Sequence, residues 1–348
     1  MGIVNSTITI PSDKIIRQGY NPVTPLIGVV SGTIVEGGAV TIQTYGAGTG
    51  PTIANILYED FADEVVDEGM DLTATVGSWT SGGTGLLMSA DAHSGGLSGI
   101  ACDPLGFHSV EKNFTLATEI FVSFAEKVPD GSHYSGATAE ETFPAGSTTK
   151  PIWLFGDDHN SVGDCDAYLG AWGGGNFVTA GNDLTPGLNV TKSSALGWQW
   201  DAWVRHGYWL KGGATPNVDA GNFWWQTVRE GVSQNTHTST PVIFANGTAP
   251  YGWAWLKWYG YSQSESANDL NLIDTLYMCS GAGACSRVEI GDNEVYTSCT
   301  KLSICNATAW ADDQVTFTVR KGSHASLVGK FLFVFNASNV CNLIGYPL

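Results

Sequence analysis

Residues 198–211 read WQWDAWVRHGYWLK, with four tryptophans, a tyrosine and a histidine in fourteen positions. Along a β-strand successive side chains point to opposite faces. One face then carries Trp198, Trp200, Ala202, Val204, His206, Tyr208 and Leu210, and the other carries Gln199, Asp201, Trp203, Arg205, Gly207, Trp209 and Lys211. The first row is apolar apart from His206 and reads as a core face. The second mixes two indoles with Arg, Lys and Asp. Burying Arg205 and Lys211 without partners is costly, so this row reads as the solvent-open concave face of a sheet.

The same period of two recurs along the chain. VTFTV, 315–319, places Val315, Phe317 and Val319 on one face. FLFVF, 331–335, is apolar throughout and reads as a strand covered on both sides. Helical periodicity is nearly absent, with at most one short turn in EDFADEVVDEG, 59–69. Forty-four glycines among β-branched and aromatic runs suit short strands and many turns. The fold class is therefore all-β.

The 33 acidic and 15 basic residues leave a net charge of −18. With no Lys/Arg cluster to neutralise phosphates, nucleic acid is not an expected partner, and neither is an acidic membrane surface. No run of about 18 apolar residues is present to form a membrane-spanning helix. The opening 25 residues lack a basic region followed by an apolar stretch, so no export signal is expected.

Two distant segments look like halves of one domain. PLIGVVSGTIVEGGAVTIQTYGAGTGP, 25–51, resembles the opening of Ig-like IPT/TIG modules: an apolar strand, Ser-Gly, a Gly turn, VTI and a Gly-rich loop. The last sixty or so residues, with WADDQVTFTVRKG and a final apolar hairpin, resemble the closing half. The expected organisation is an N-terminal arm (1–24), a discontinuous Ig-like β-sandwich (25–56 and 281–348) and an inserted domain (57–280). Insertion requires neighbouring entry and exit points, so ILYEDF and NLIDTLYM are expected to pair or lie adjacent. Within the insertion, the order of EIFVSF, WDAWVR and IDTLY strands resembles concanavalin A-like jelly-roll β-sandwiches.

Trp203, Arg205, Trp209, Lys211, Trp224, Arg229 and Trp255 are the candidates for glycan binding or for an interface. Indoles stack on sugar rings while charges and amides bind hydroxyls. Plain packing of a large sheet explains the same residues, since each large aromatic buries about 150–250 Å². No catalytic residue is assigned. Glycosidases need two carboxylates about 5–9.5 Å apart, and neither E-x-D-x-x-E nor E-x-D-x-E occurs. Arg205, His206 and Tyr261 form the alternative, a proton-abstracting site of the kind polysaccharide lyases of this fold use. FGDDHNSVGDCDAYLG gathers Asp157, Asp158, Asp164 and Asp166, a weak candidate for Ca²⁺ beside the reading as a solvated turn. No other cofactor is expected. Of seven cysteines, Cys279 and Cys285 are six apart, as are Cys299 and Cys305, so local disulfides and unbonded buried thiols both fit.

These features together resemble bacteriophage virion surface proteins: capsid decoration proteins, head fibres and tail appendages. The resemblance implies a non-enzymatic, homo-oligomeric structural component, made in the host cytoplasm and displayed on the virion surface. Its partners would be virion proteins such as a major capsid protein or copies of itself, with host-surface glycan contact as an added role. The competing reading is a carbohydrate-active enzyme, lyase- or hydrolase-like, or a lectin of the concanavalin A-like fold.

Overall fold

The computed structural model describes residues 24–66, 68, 70–82, 87–94, 96–103, 106–107, 109–127, 148–155, 167–172, 176–180, 190–193, 201–212, 221–242, 252–262 and 271–348. The arm expected at 1–24 and all four aspartates of the Ca²⁺ candidate, Asp157, Asp158, Asp164 and Asp166, lie outside the described residues, save Thr24.

The chain begins with β1 (Leu26–Gly32), β2 (Ala39–Tyr45) and β3 (Leu57–Glu59). Next come β4 (Ser81–Gly82), β5 (Leu87–Ser89), β6 (Ser98–Asp103), β7 (Gly106–Phe107), β8 (Val110–Ala117) and β9 (Glu119–Lys127). They are followed by β10 (Thr148–Phe155), β11 (Ala167–Trp172), β12 (Asn176–Ala180), β13 (Val190–Ser193), β14 (Trp203–Lys211) and β15 (Gly221–Arg229). Then β16 (Ser233–Val242), β17 (Trp253–Ser262), β18 (Asn271–Ser280) and β19 (Arg287–Gly291) lead to β20 (Leu302–Trp310), β21 (Gln314–Thr318), β22 (Phe331–Phe335) and β23 (Tyr346–Pro347). Among the described residues the helical elements are two single 3₁₀ turns, Ile53–Asn55 and Tyr296–Ser298. Among the described residues of 59–69, where one helical turn at most was expected, no helix is formed. That stretch makes hydrogen-bonded turns instead, Glu64 N to Phe61 O and Glu68 N to Val65 O.

The chain divides into two compact units, one ending at Ile56 and resuming at Cys279, the other running Leu57–Met278. In the first, one antiparallel sheet runs β1-β2-β21-β20-β19-β22-β23. Strands from both termini are therefore neighbours, with Val40 opposite Phe317 and Ile42 opposite Val315. The sheet encloses a core of Val30, Val40, Ile42, Val288, Ile290, Val315, Phe317, Leu332 and Val334. Val315 and Phe317 point inward, as their alternation requires. On β22, Leu332, Phe333, Val334 and Phe335 are all buried, as a doubly covered strand should be. Cys279, Cys285, Cys299, Cys305 and Cys341 are free thiols. Burial pushes Cys299, Cys305 and Cys341 up to about 12.

The second unit is a two-sheet sandwich of the jelly-roll type. A nine-stranded sheet runs β16-β15-β14-β9-β18-β6-β5, with β3 added on β18 and β7 on β6. A seven-stranded sheet runs β13-β12-β11-β10-β17-β8-β4. Their shared core takes Val122, Phe124, Tyr208, Leu210, Phe223, Trp225 and Leu276 from the first sheet, and Val110, Ile152, Leu154, Trp253, Leu256 and Trp258 from the second. Trp258 is stacked against Phe61 and Trp79 at centroid distances of 5.9 and 6.0 Å. The segments ILYEDF and NLIDTLYM do pair: Leu57, Tyr58 and Glu59 lie opposite Met278, Tyr277 and Leu276.

Candidate functional site

Directly opposed residues of antiparallel strands share a face, so register sorts the tryptophan strand and its neighbours into two rows. On the core row Val204, His206, Tyr208 and Leu210 of β14 lie beside Glu126, Phe124, Val122 and Ile120 of β9. Their partners on β15 are Arg229, Thr227, Trp225 and Phe223. On the second row Trp203, Arg205, Gly207, Trp209 and Lys211 lie beside Lys127, Ala125, Ser123, Phe121 and Glu119. There β15 contributes Val228, Gln226, Trp224 and Asn222.

The middle of the second row is covered, not open. Arg205 is 3% exposed, and Trp209 and Trp224 are 8% exposed each. Buried polar groups need partners, and the row supplies them: Arg205 Nη1 donates to Gln226 Oε1 at 3.2 Å. Phe121 stacks on Trp224 at 6.3 Å and meets Tyr277 edge-on at 6.0 Å. Gly207 has no side chain, and the Trp224 ring and the Gln226 amide occupy the space beside it.

The two ends of the row reach the surface. At one end Trp209 Nε1 donates to Glu119 Oε1 at 3.2 Å. Lys211 Nζ is 3.2 Å from Glu119 Oε2, with its side chain 44% exposed. At the other end half-buried Trp203 donates its indole N–H to Asp91 Oδ1 at 3.4 Å, and Asp91 also pairs with Lys127. The His93 ring lies 5.7 Å from the Trp203 ring. Its Nε2 is 3.2 Å from Glu230 Oε1, and its Nδ1 is 3.5 Å from Thr275 Oγ1. Behind them Asp274 is fully buried and accepts from Ser94 N and Oγ at 2.8 and 3.0 Å. Burial raises Asp274 to about 6 against the opposing pull of His93 and these donors.

The core row holds a separate polar group. His206 Nε2 is 3.8 Å from Glu126 Oε2, and His206 Nδ1 is 3.4 Å from the Tyr208 hydroxyl. His206 stacks on Phe124 at 5.0 Å. Burial, aided by the Arg205 charge, drives the imidazole down to about 3, so it is neutral at ordinary pH. Burial likewise raises the Tyr208 phenol well above its usual range.

These rows correct several expectations. Arg205 and His206 are consecutive on one strand and point to opposite faces, and Tyr261 belongs to β17 of the other sheet. Arg205 and His206 therefore share no site on this sheet. Trp255 is not part of the Trp203–Trp209–Trp224 row either. It lies on β17, where a bulge between Trp253 and Trp255 breaks the alternation. Trp253 and Trp258 enter the core, while half-buried Trp255 and Lys257 face away from it, with Lys257 3.9 Å from Glu111. Arg229 lies opposite Val204 on the core row. Among the described residues no group of three or more His, Cys, Asp or Glu is placed to hold a metal ion.

Alternation did not single out Glu119, Lys127, Asp91, His93 or Glu230. Glu119 and Lys127 share a row of EIFVSFAEK and were readable in principle, but their neighbours are set by long-range register. Asp91 and His93 sit in SADAHSGG, which has no period.

No protein-family model matches this chain, and no curated protein matches it. Among solved structures, the alginate lyase Aly36B in complex with alginate trisaccharide has a TM-score of 0.41 at 12% identity, covering 66% of this chain and 99% of that one. The marine PL-14 alginate lyase from Aplysia kurodai has a TM-score of 0.43 at 10% identity, covering 66% and 99%. Peanut lectin has a TM-score of 0.30 at 10% identity, covering 70% and 97%. Likenesses this distant carry neither ligand nor activity across to this chain.

Proposed function

We propose that the protein is a structural β-sandwich component of a bacteriophage virion surface that contacts glycans through the second row of its nine-stranded sheet. The observation that carries glycan contact is the composition of that row. Indoles are interleaved with an amide, a guanidinium and two lysine–carboxylate pairs, and the row reaches solvent at its two ends, at half-buried Trp203 and at exposed Lys211. Aromatic side chains offer sugar rings an apolar platform, and their polar neighbours offer hydroxyl partners. The virion setting rests on the sequence resemblance, and so does the assignment of the first unit as an Ig-like module of the IPT/TIG type. The non-catalytic reading draws support from the division of Arg205, His206 and Tyr261 between two faces and two sheets.

The test is a glycan array with the wild-type protein and Lys211→Ala, together with an absorbance assay for polysaccharide cleavage. Binding that weakens in Lys211→Ala, with no cleavage, is the expected result. Polysaccharide cleavage by the purified chain would return it to the carbohydrate-active enzymes. An empty array would remove the glycan part of the reading.

A further inference from the structure

The two solvent-reaching ends of the second row differ in charge, and the difference has a chemical consequence for the ligand. They are set eight residues apart on β14, about 26 Å at the usual rise of a strand. At the Lys211 end the exposed group is a cation. At the Trp203 end the half-buried indole stands among two carboxylates, Asp91 and Glu230, with Lys127 and His93 paired to them. Among the described residues there, Asp91 is 48% exposed and Glu230 26% exposed, against Lys127 at 24% and His93 at 3%.

The indole is held in place. Its N–H is tied to Asp91 and its ring is packed by His93, which is itself held between Glu230 and Thr275. A platform fixed before binding loses little rotamer freedom when a ligand arrives. Asp91 and Glu230 already accept hydrogen bonds, but each carboxylate has about four acceptor sites, so both keep capacity for a ligand's donors. An aromatic face also attracts a cation placed over it, by its quadrupole. A sugar acid brought here would meet two carboxylates, Asp91 and Glu230, on a chain whose net charge is −18.

Building on the glycan reading above, we propose that the Trp203 end is a subsite for an ammonium-bearing sugar ring of the glucosamine type. The ring lies against Trp203, and its ammonium and hydroxyl groups donate to Glu230 and Asp91. Nothing in the tryptophan pattern of residues 198–211 pointed to this preference, because the acids that create it come from residues 91 and 230.

The experiment is calorimetric titration of the full chain with three tetrasaccharides: fully deacetylated chitosan, cellulose and alginate. Glu230→Gln and Trp203→Ala are the test variants, with thermal melts as the folding control. Glu230→Gln is isosteric at a partly exposed position, so it keeps the test valid if Trp203→Ala fails to fold. The chitosan oligomer should bind the wild type most tightly, with affinity falling about tenfold in Trp203→Ala and several-fold in Glu230→Gln. Equal or tighter binding of the cellulose or alginate oligomer overturns the proposal, as does chitosan affinity within twofold of wild type in both variants. If a glycan binds and only Lys211→Ala weakens it, the glycan reading stands and the glucosamine subsite falls. If no glycan binds at all, both fall.

Discussion

Glu59 gives the sharpest stability prediction. Its carboxyl is fully buried beneath Phe61 and Trp79 in the second unit. It accepts from Phe61 N at 2.9 Å and from Trp79 Nε1 at 3.1 Å. Burial outweighs these bonds, and with the nearby Asp60 and Asp63 charges it lifts the group from 4.5 to about 7. The folded chain thus holds a proton that the unfolded chain releases near pH 4.5. The resulting stability is fully present below that pH and is lost as pH rises through 7. A difference of 2.5 pH units at about 1.4 kcal/mol each makes the loss about 3 kcal/mol. Glu59→Gln keeps the shape but has no proton to lose. Its stability relative to wild type should therefore rise by about 3 kcal/mol between pH 4.5 and 7.5. Urea unfolding followed by tryptophan fluorescence suits the measurement, because twelve of the thirteen tryptophans lie in 57–278 and only Trp310 lies elsewhere. Parallel pH profiles for variant and wild type would refute the reasoning.

Four further outcomes follow from the same contacts. His206, neutral in the fold and ionised below about 6.5 when unfolded, should make the wild type lose stability in acid. His206→Phe should remove about 2 kcal/mol of that loss between pH 6.5 and 5, read from urea midpoints at each pH. Trp258→Ala removes the ring stacked on Phe61 and Trp79 and should cost about 3–5 kcal/mol in the same assay. Lys211→Ala, changing an exposed side chain, should leave the melting transition within about 0.5 kcal/mol of wild type while weakening glycan binding. Cys279, Cys285, Cys299 and Cys305 should resist alkylation in the folded protein and react after denaturation, as mapped by mass spectrometry.

Much of the fold was legible because strand period is local. The alternation of residues 204–210 separated core from non-core side chains without knowledge of any partner, and VTFTV and FLFVF behaved likewise. The pairing of Leu57–Glu59 with Leu276–Met278 was legible for another reason: an insertion must leave its host where it entered. The site was harder to read. Period two assumes an unbroken pleat, and the bulge before Trp255 moves that indole to the outward face of the other sheet. Alternation also shows which way Arg205 points but not what covers it, so a face that looked open is 3% exposed at its arginine. Asp91 and His93 reach Trp203 from a loop about 110 positions away, a closeness that only the tertiary fold creates. The acidic character of that end was hidden for the same reason.

The proposed glycan contact lies on the second row of the nine-stranded sheet. Hydroxyl-radical footprinting with and without saturating oligosaccharide tests it most directly. Protection should appear at Trp203, Lys211 and the 89–94 segment, and the outward-facing Trp255 of the opposite sheet should be unchanged. Protection at Trp255, or only at residues 279–348, with Trp203 and Lys211 unaffected, would contradict it.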